Sequence, residues 1–246
     1  MSSSAKQLVL FGVACAMFAA LMLTGVVGNV VRGNFMAVPL VGSALVLAAA
    51  LIWFGVWLNR RRIQLMFRHP TPDRLIANYH ATLLQARARK IPNADAVASY
   101  LSALAATVYG QFDRARGELD VVDWAKAPAM YRGHRLHLLA LIALLETRDE
   151  PAARQMAAEA RALEGTDPAG GPPVLDAALL VATGVDDSET IQRVRQAARR
   201  GAGAIPALCA WALSLHFERS GQPAEAARYR ELVRDAAPYF IGLKPV

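Results

Sequence analysis

"LSLHFERSGQPAEAARYRELVRDAAP", residues 213–238, spells out the unit from which the chain is built. Leu213 and Phe217 stand four apart, one helical turn on a shared face. Ser220-Gly221-Gln222 then breaks the pattern, and Pro223 suits the first turn of a second helix. Ala226 and Val233 continue an apolar stripe until Pro238 stops it. Helix, break, helix: the same punctuation recurs upstream as "GQFDRA" (110–115), "TRDEPA" (147–152) and "TGVDDS" (183–188). The break positions Gly110, Arg148, Gly184 and Gly221 lie 38, 36 and 37 residues apart. A constant interval of that length marks stacked helix pairs, none of which can bury its apolar face alone. The spacing predicts pairs at 94–109 with 112–124, 129–146 with 151–163, 174–183 with 188–200, and 205–218 with 223–235. Beyond Pro92 no strand alternation competes, so the chain reads as all-α.

The units resemble the tetratricopeptide repeat. Gly110, Phe112 and Ala115 fall at the turn and at the small position of the second helix in the first unit. Leu213, Phe217, Gly221, Ala226, Val233 and Pro238 keep the repeat's spacing in the fourth. Ala143, Ala153, Ala157 and Ala160 match in the second, where Arg148 replaces the turn glycine. The third is weakest, and "GTDPAGGPP" (165–173) lengthens the interval before it. The repeat's early tryptophan and first-helix glycine are missing throughout. The resemblance covers residues 94–238 and implies a TPR-like α-solenoid of about four helix pairs, spanning 93–246 with its flanks. It also implies a partner groove on the concave wall formed by the first helix of each pair. Candidate groove residues are Tyr100, Arg132, His134, Arg135, His137, Trp211 and Phe217. The wall is apolar: 205–217 carries no Lys, Arg, Asp or Glu, and 94–109 carries only Asp95. An open groove of this kind is an aggregation hazard. Three occupants are possible: a partner, the helix at 72–90, or the tail "PYFIGLKPV" (238–246). Tyr239, Phe240, Ile241 and Leu243 are unusual at a solvated terminus, so the tail is the favoured one.

Upstream the chain changes character. Residues 8–31 and 35–59 carry no charge, and 24 helical residues reach about 36 Å against a hydrocarbon core of about 30 Å. Two transmembrane helices are expected, forming a hairpin within 1–62. Trp53 and Trp57 fit an interfacial belt, and Arg60, Arg61 and Arg62 fit a cytoplasmic exit by the positive-inside rule. Gly12, Ala16, Ala20, Thr24 and Gly28 form a small-residue stripe for close helix packing, against the hairpin partner or a neighbouring membrane protein. Residues 63–92 read as a basic juxtamembrane helix beginning at Thr71-Pro72-Asp73, with Thr71 as the capping hydroxyl.

Net charge is +7, yet residues 1–90 carry ten Lys/Arg against one acid and 91–246 carry 17 against 19. The basic excess belongs to the membrane end, which argues against a nucleic-acid partner. Cys15 and Cys209 suggest neither a disulfide framework nor a metal knuckle.

Catalytic patterns are absent. His134 and His137 share a helical face but lack the third ligand that zinc requires. Ser214 near His216 has no orienting acid or oxyanion loop. Asp186-Asp187 with Glu189 reads as an acidic helix start. No cofactor and no enzyme activity are expected.

The expectation is a bacterial-type inner-membrane protein, multi-pass, with its N-terminus and repeats cytoplasmic. It would act as a scaffold for membrane-associated protein partners, or for further copies of itself. The alternative is a structural accessory subunit of a larger integral-membrane complex. Hairpin followed by repeats is similar in order to two-span repeat proteins associated with haem biosynthesis, but no shared motif carries that role over.

Overall fold

The structure, a computed structural model, describes residues 37–164, 174–199 and 203–243. Side chains are described from Leu47, apart from those of Val56, Asn59, Arg60, Ile63, Gln64 and Glu164. Among the described residues the chain is all-helical, with ten α-helices, two 3-10 turns and no strand. It divides into two compact units, residues 1–62 and 63–246, the boundary falling inside the first described helix.

That helix, α1 (Ala37–Phe67), runs 31 residues and carries no charge before Arg60. It does not stop there: the arginines at 60–62 sit within an unbroken helix that ends at Phe67. Leu47, Ile52, Trp53, Phe54 and Leu58 are exposed. Trp57 stacks on Phe54 at 5.7 Å and lies under the Arg61 guanidinium at 5.2 Å. Among the described residues no helix is long and apolar enough to cross a membrane. Of the expected second span, the side chains before Leu47 lie outside those described. The expected first span, with Gly12, Ala16, Ala20, Thr24 and Gly28, lies outside the described residues.

The first helix wholly within the second unit is α2 (Asp73–Ala88). The expected hydroxyl cap is not made: no side chain caps this helix, and Thr71 hydrogen-bonds the Asp73 carboxylate instead. Arg114 donates to the same carboxylate at 2.6 Å. Leu75 and Ile76 bury against α3 (Ala94–Val108), so α2 covers that helix and does not enter a groove.

Four helix pairs follow. They are α3 with α4 (Phe112–Asp120), α5 (Ala129–Glu146) with α6 (Glu150–Glu164), α7 (Val174–Ala182) with α8 (Ser188–Ala198), and α9 (Ala204–Arg219) with α10 (Pro223–Ala236). The second helix of the first pair stops at Asp120, and Trp124 falls in a separate 3-10 turn, Trp124–Lys126. Every break between partners turns through a left-handed residue: Gly110 at φ +74°, Arg148 at +58°, Gly184 at +102° and Gly221 at +68°. Arg148 therefore has the backbone conformation that glycine adopts without strain at the other three. Asp149 and Asp187 cap the helices that follow, accepting from the Ala152 and Thr190 amides.

Small side chains set how closely partners approach. Ala153, Ala157 and Ala160 of α6, at most 3% exposed, meet the Leu-rich face of α5. First helices line up as α3, α5, α7 and α9, and α9 touches α3 again, so the row returns on itself. In α9 every residue from 207 to 214 is buried, among α3, α7, α8 and α10. This corrects the reading of 205–217 as a groove wall. Its uncharged surface is the centre of the core.

Candidate functional site

Two places collect the candidate residues: a cavity among the first helices, and a seam where the tail meets α3 and α9. The cavity, about 300 Å³, is lined by Tyr100 (α3), His134 and His137 (α5), Val174 and Leu175 (α7) and Ile205 (α9). Spacing i, i+3 turns both imidazoles to one side of α5. The Tyr100 and His134 rings lie 5.6 Å apart, and Tyr131 meets His134 edge-on at 6.3 Å. Behind the cavity lies a buried carboxyl group that sequence reasoning missed. Asp176, the only acid in "VLDAALLVA", is fully buried, with one carboxylate oxygen accepting from Arg161 Nη1 at 2.8 Å. His137 Nε2 stands 3.3 Å from the same oxygen. The signal was present: a lone carboxylate in an apolar helix must find a cation or stay protonated. Its partner lies 15 residues away on another helix, which no local pattern reveals. Among the described residues no group of three or more His, Cys, Asp or Glu stands close enough to hold a metal ion.

Arg132 and Arg135 do not join this cavity. At about 100° per residue they project from other sides of α5, and Arg135 lies 6.0 Å over the Trp124 ring. Trp124 donates its indole N–H to Leu119 O at 2.6 Å. Phe217 is also elsewhere, stacked on Tyr229 at 5.4 Å beneath the Arg195 guanidinium at 5.3 Å. Of the seven expected groove residues, the cavity gathers Tyr100, His134 and His137.

Trp211 belongs to the seam. After α10 the chain turns at Ala237, and Phe240 packs edge-on against Trp211, with ring centroids 5.8 Å apart. Both rings are buried, at 1% and 3% exposure. The next residues form a 3-10 turn, Ile241–Leu243, against α3. Contact is close enough to require glycine twice. A Cβ on Gly110 would meet Ile241 Cδ1 at 2.8 Å, and one on Gly242 would meet Phe240 at 2.6 Å and Trp211 Nε1 at 2.8 Å. The Trp211 indole N–H is buried and has no hydrogen-bond partner among the described residues. Beside the tail a second cavity of about 490 Å³ is lined by Tyr109, Gln111, Arg234, Tyr239 and Leu243, among others.

Tyr109 fixes the near wall. Its hydroxyl donates towards His69 O at 2.9 Å and Phe67 O at 3.1 Å. Burial, with Tyr239 adding a smaller repulsion, pushes its pKa up to about 12. Burial alone pushes the Cys209 thiol to about 12, making it an inert core residue. An acid does stand beside His216, contrary to the sequence reading, with Asp186 at 3.0 Å, but Ser214 donates to Trp211 O at 2.7 Å. Compared with known proteins, the chain matches no family model, no curated protein and no solved structure.

Proposed function

We propose that this chain is a non-catalytic scaffold anchored in a bacterial-type inner membrane, its helix pairs forming a tetratricopeptide-like repeat domain on the cytoplasmic side. The anchor reading rests on the uncharged runs 8–31 and 35–59 and on the arginines after them. The observation that carries it is the surface of α1. Leu47, Ile52 and Trp53 are 59–69% exposed, a side-chain set that water does not favour and lipid does. Repeat character is supported by four left-handed breaks at a near-constant interval.

The test is extraction of native membranes with alkaline carbonate, followed by crosslinking capture on the full chain. An anchored scaffold stays in the pellet and crosslinks to membrane-associated proteins. Release of the chain into the supernatant would remove the anchor. The accessory-subunit reading draws on the same exposed Ile52 and Trp53, with a partner's helix in place of lipid. It requires stoichiometric co-purification in mild detergent, where a recruiter leaves as a small species.

A further inference from the structure

We infer that the tail seam between α3 and α9 is a peptide-binding site, filled in this chain by its own C-terminal segment acting as an exchangeable occupant. The inference rests on the scaffold reading, because it names the kind of partner the helix pairs would take.

Three observations point the same way. Residues 240–243 lie in the seam as a ligand would: Phe240 against Trp211, Ile241 over the bare backbone of Gly110, and Gly242 close to the indole. Among the described residues, moreover, the buried Trp211 N–H meets no acceptor. Finally, the surface continues past the tail into the cavity of about 490 Å³, where Arg234 makes no ion pair among the described residues.

These define the partner's chemistry. It is a short segment with an aromatic residue followed by an aliphatic one, an acceptor for the indole N–H, and a carboxylate for Arg234. The tail holds the seam at an effective concentration on the order of millimolar, since it follows α10 directly. A segment making the same apolar contacts and satisfying the orphaned donor gains roughly ten- to a hundred-fold over it. A carboxylate on Arg234 adds orientation as well as affinity. Such a partner can displace the tail without unfolding the helix pairs.

The experiment uses the full chain in mild detergent and two fluorescent peptides covering residues 237–243, one ending in a free carboxylate and one in an amide. Wild type is compared with Phe240→Ala/Ile241→Ala and with Gly242→Ala, whose methyl group forces the tail off Trp211. Both variants are expected to stay helical and to bind the free-acid peptide at least ten-fold more tightly than wild type. Adding Trp211→Ala should abolish that gain, and Arg234→Ala should equalise acid and amide. Folded variants that bind no better than wild type would overturn the inference. So would loss of helical structure in both, which would make the tail a structural staple. Tight peptide binding with no crosslinked membrane protein would sink the scaffold reading alone.

Discussion

Replacing Gly110 with alanine tests the seam at a single carbon atom. Two costs apply. The first is conformational: alanine at φ +74° takes up a left-handed conformation costing about 1–2 kcal/mol, offset by roughly 0.4–1 kcal/mol from a less flexible unfolded chain. Gly221, at φ +68° with nothing within 4 Å of a new Cβ, measures that term by itself. The second cost is steric, because the new methyl group would lie 2.8 Å from Ile241 Cδ1 and 2.9 Å from Cγ1. Overpacking of this kind costs about 1–3 kcal/mol. Gly221→Ala should therefore lose about 1 kcal/mol, and Gly110→Ala about 2–4 kcal/mol. At roughly 2–4 °C per kcal/mol for a domain of this size, the two melting points separate clearly by circular dichroism on the full chain. Ile241→Ala removes the two offending atoms and leaves Cβ at 3.2 Å. In that background Gly110→Ala should cost no more than Gly221→Ala. Equal costs at the two glycines in the wild-type chain would show that the tail does not lie over Gly110, and the seam argument would fail.

Other consequences follow from single residues. Arg148→Gly should raise stability by about 0.5–1 kcal/mol, since a left-handed arginine is relieved at an exposed break; a lower melting point would contradict it. Arg219 donates to the Val181 and Ala182 carbonyls at the end of α7, with Arg154 on Thr183 O beside it. Arg219→Ala should lose about 1.5–3 kcal/mol in denaturant unfolding, and Arg219→Lys, without the fork, should recover only part of it. Tyr109 is raised from an ordinary 10 to about 12, so its contribution is complete below pH 10 and fades as pH climbs towards 12. Tyr109→Phe should make the alkaline slope of melting temperature against pH shallower, leaving the part that the buried Cys209 thiol and Tyr79 supply. Cys209, in a Cys15→Ser chain, should resist thiol reagents at pH 8 until denaturant is added, because almost no thiolate exists at that pH.

Helix placement was legible because it depends on local rules. Glycine or proline at each break, capping aspartates and apolar stripes of period 3.6 are all written within a dozen residues. Arg148 shows how far the interval can be trusted: it looked like a departure from the pattern, yet its backbone does what glycine does at the other breaks. Long-range closure was not legible. That α9 meets α3 depends on the accumulated rotation of four pairs, and an uncharged 205–217 suits either an open wall or a core. The tail's apolar residues announced that something must cover them. Which surface it would be required knowing that Gly110 and Trp211 stand within one short turn of chain. The Asp176–Arg161 pair was hidden for the same reason, spanning two helices and residues 165–173.

The proposed topology has the arginines at 60–62 keeping the helix pairs on the inner side of a membrane. Protease added to right-side-out and inverted membrane vesicles measures this directly, with antibodies to the two ends of the chain as readout. The segment beyond residue 62 should be digested only in inverted vesicles. Digestion in right-side-out vesicles or intact cells would contradict it.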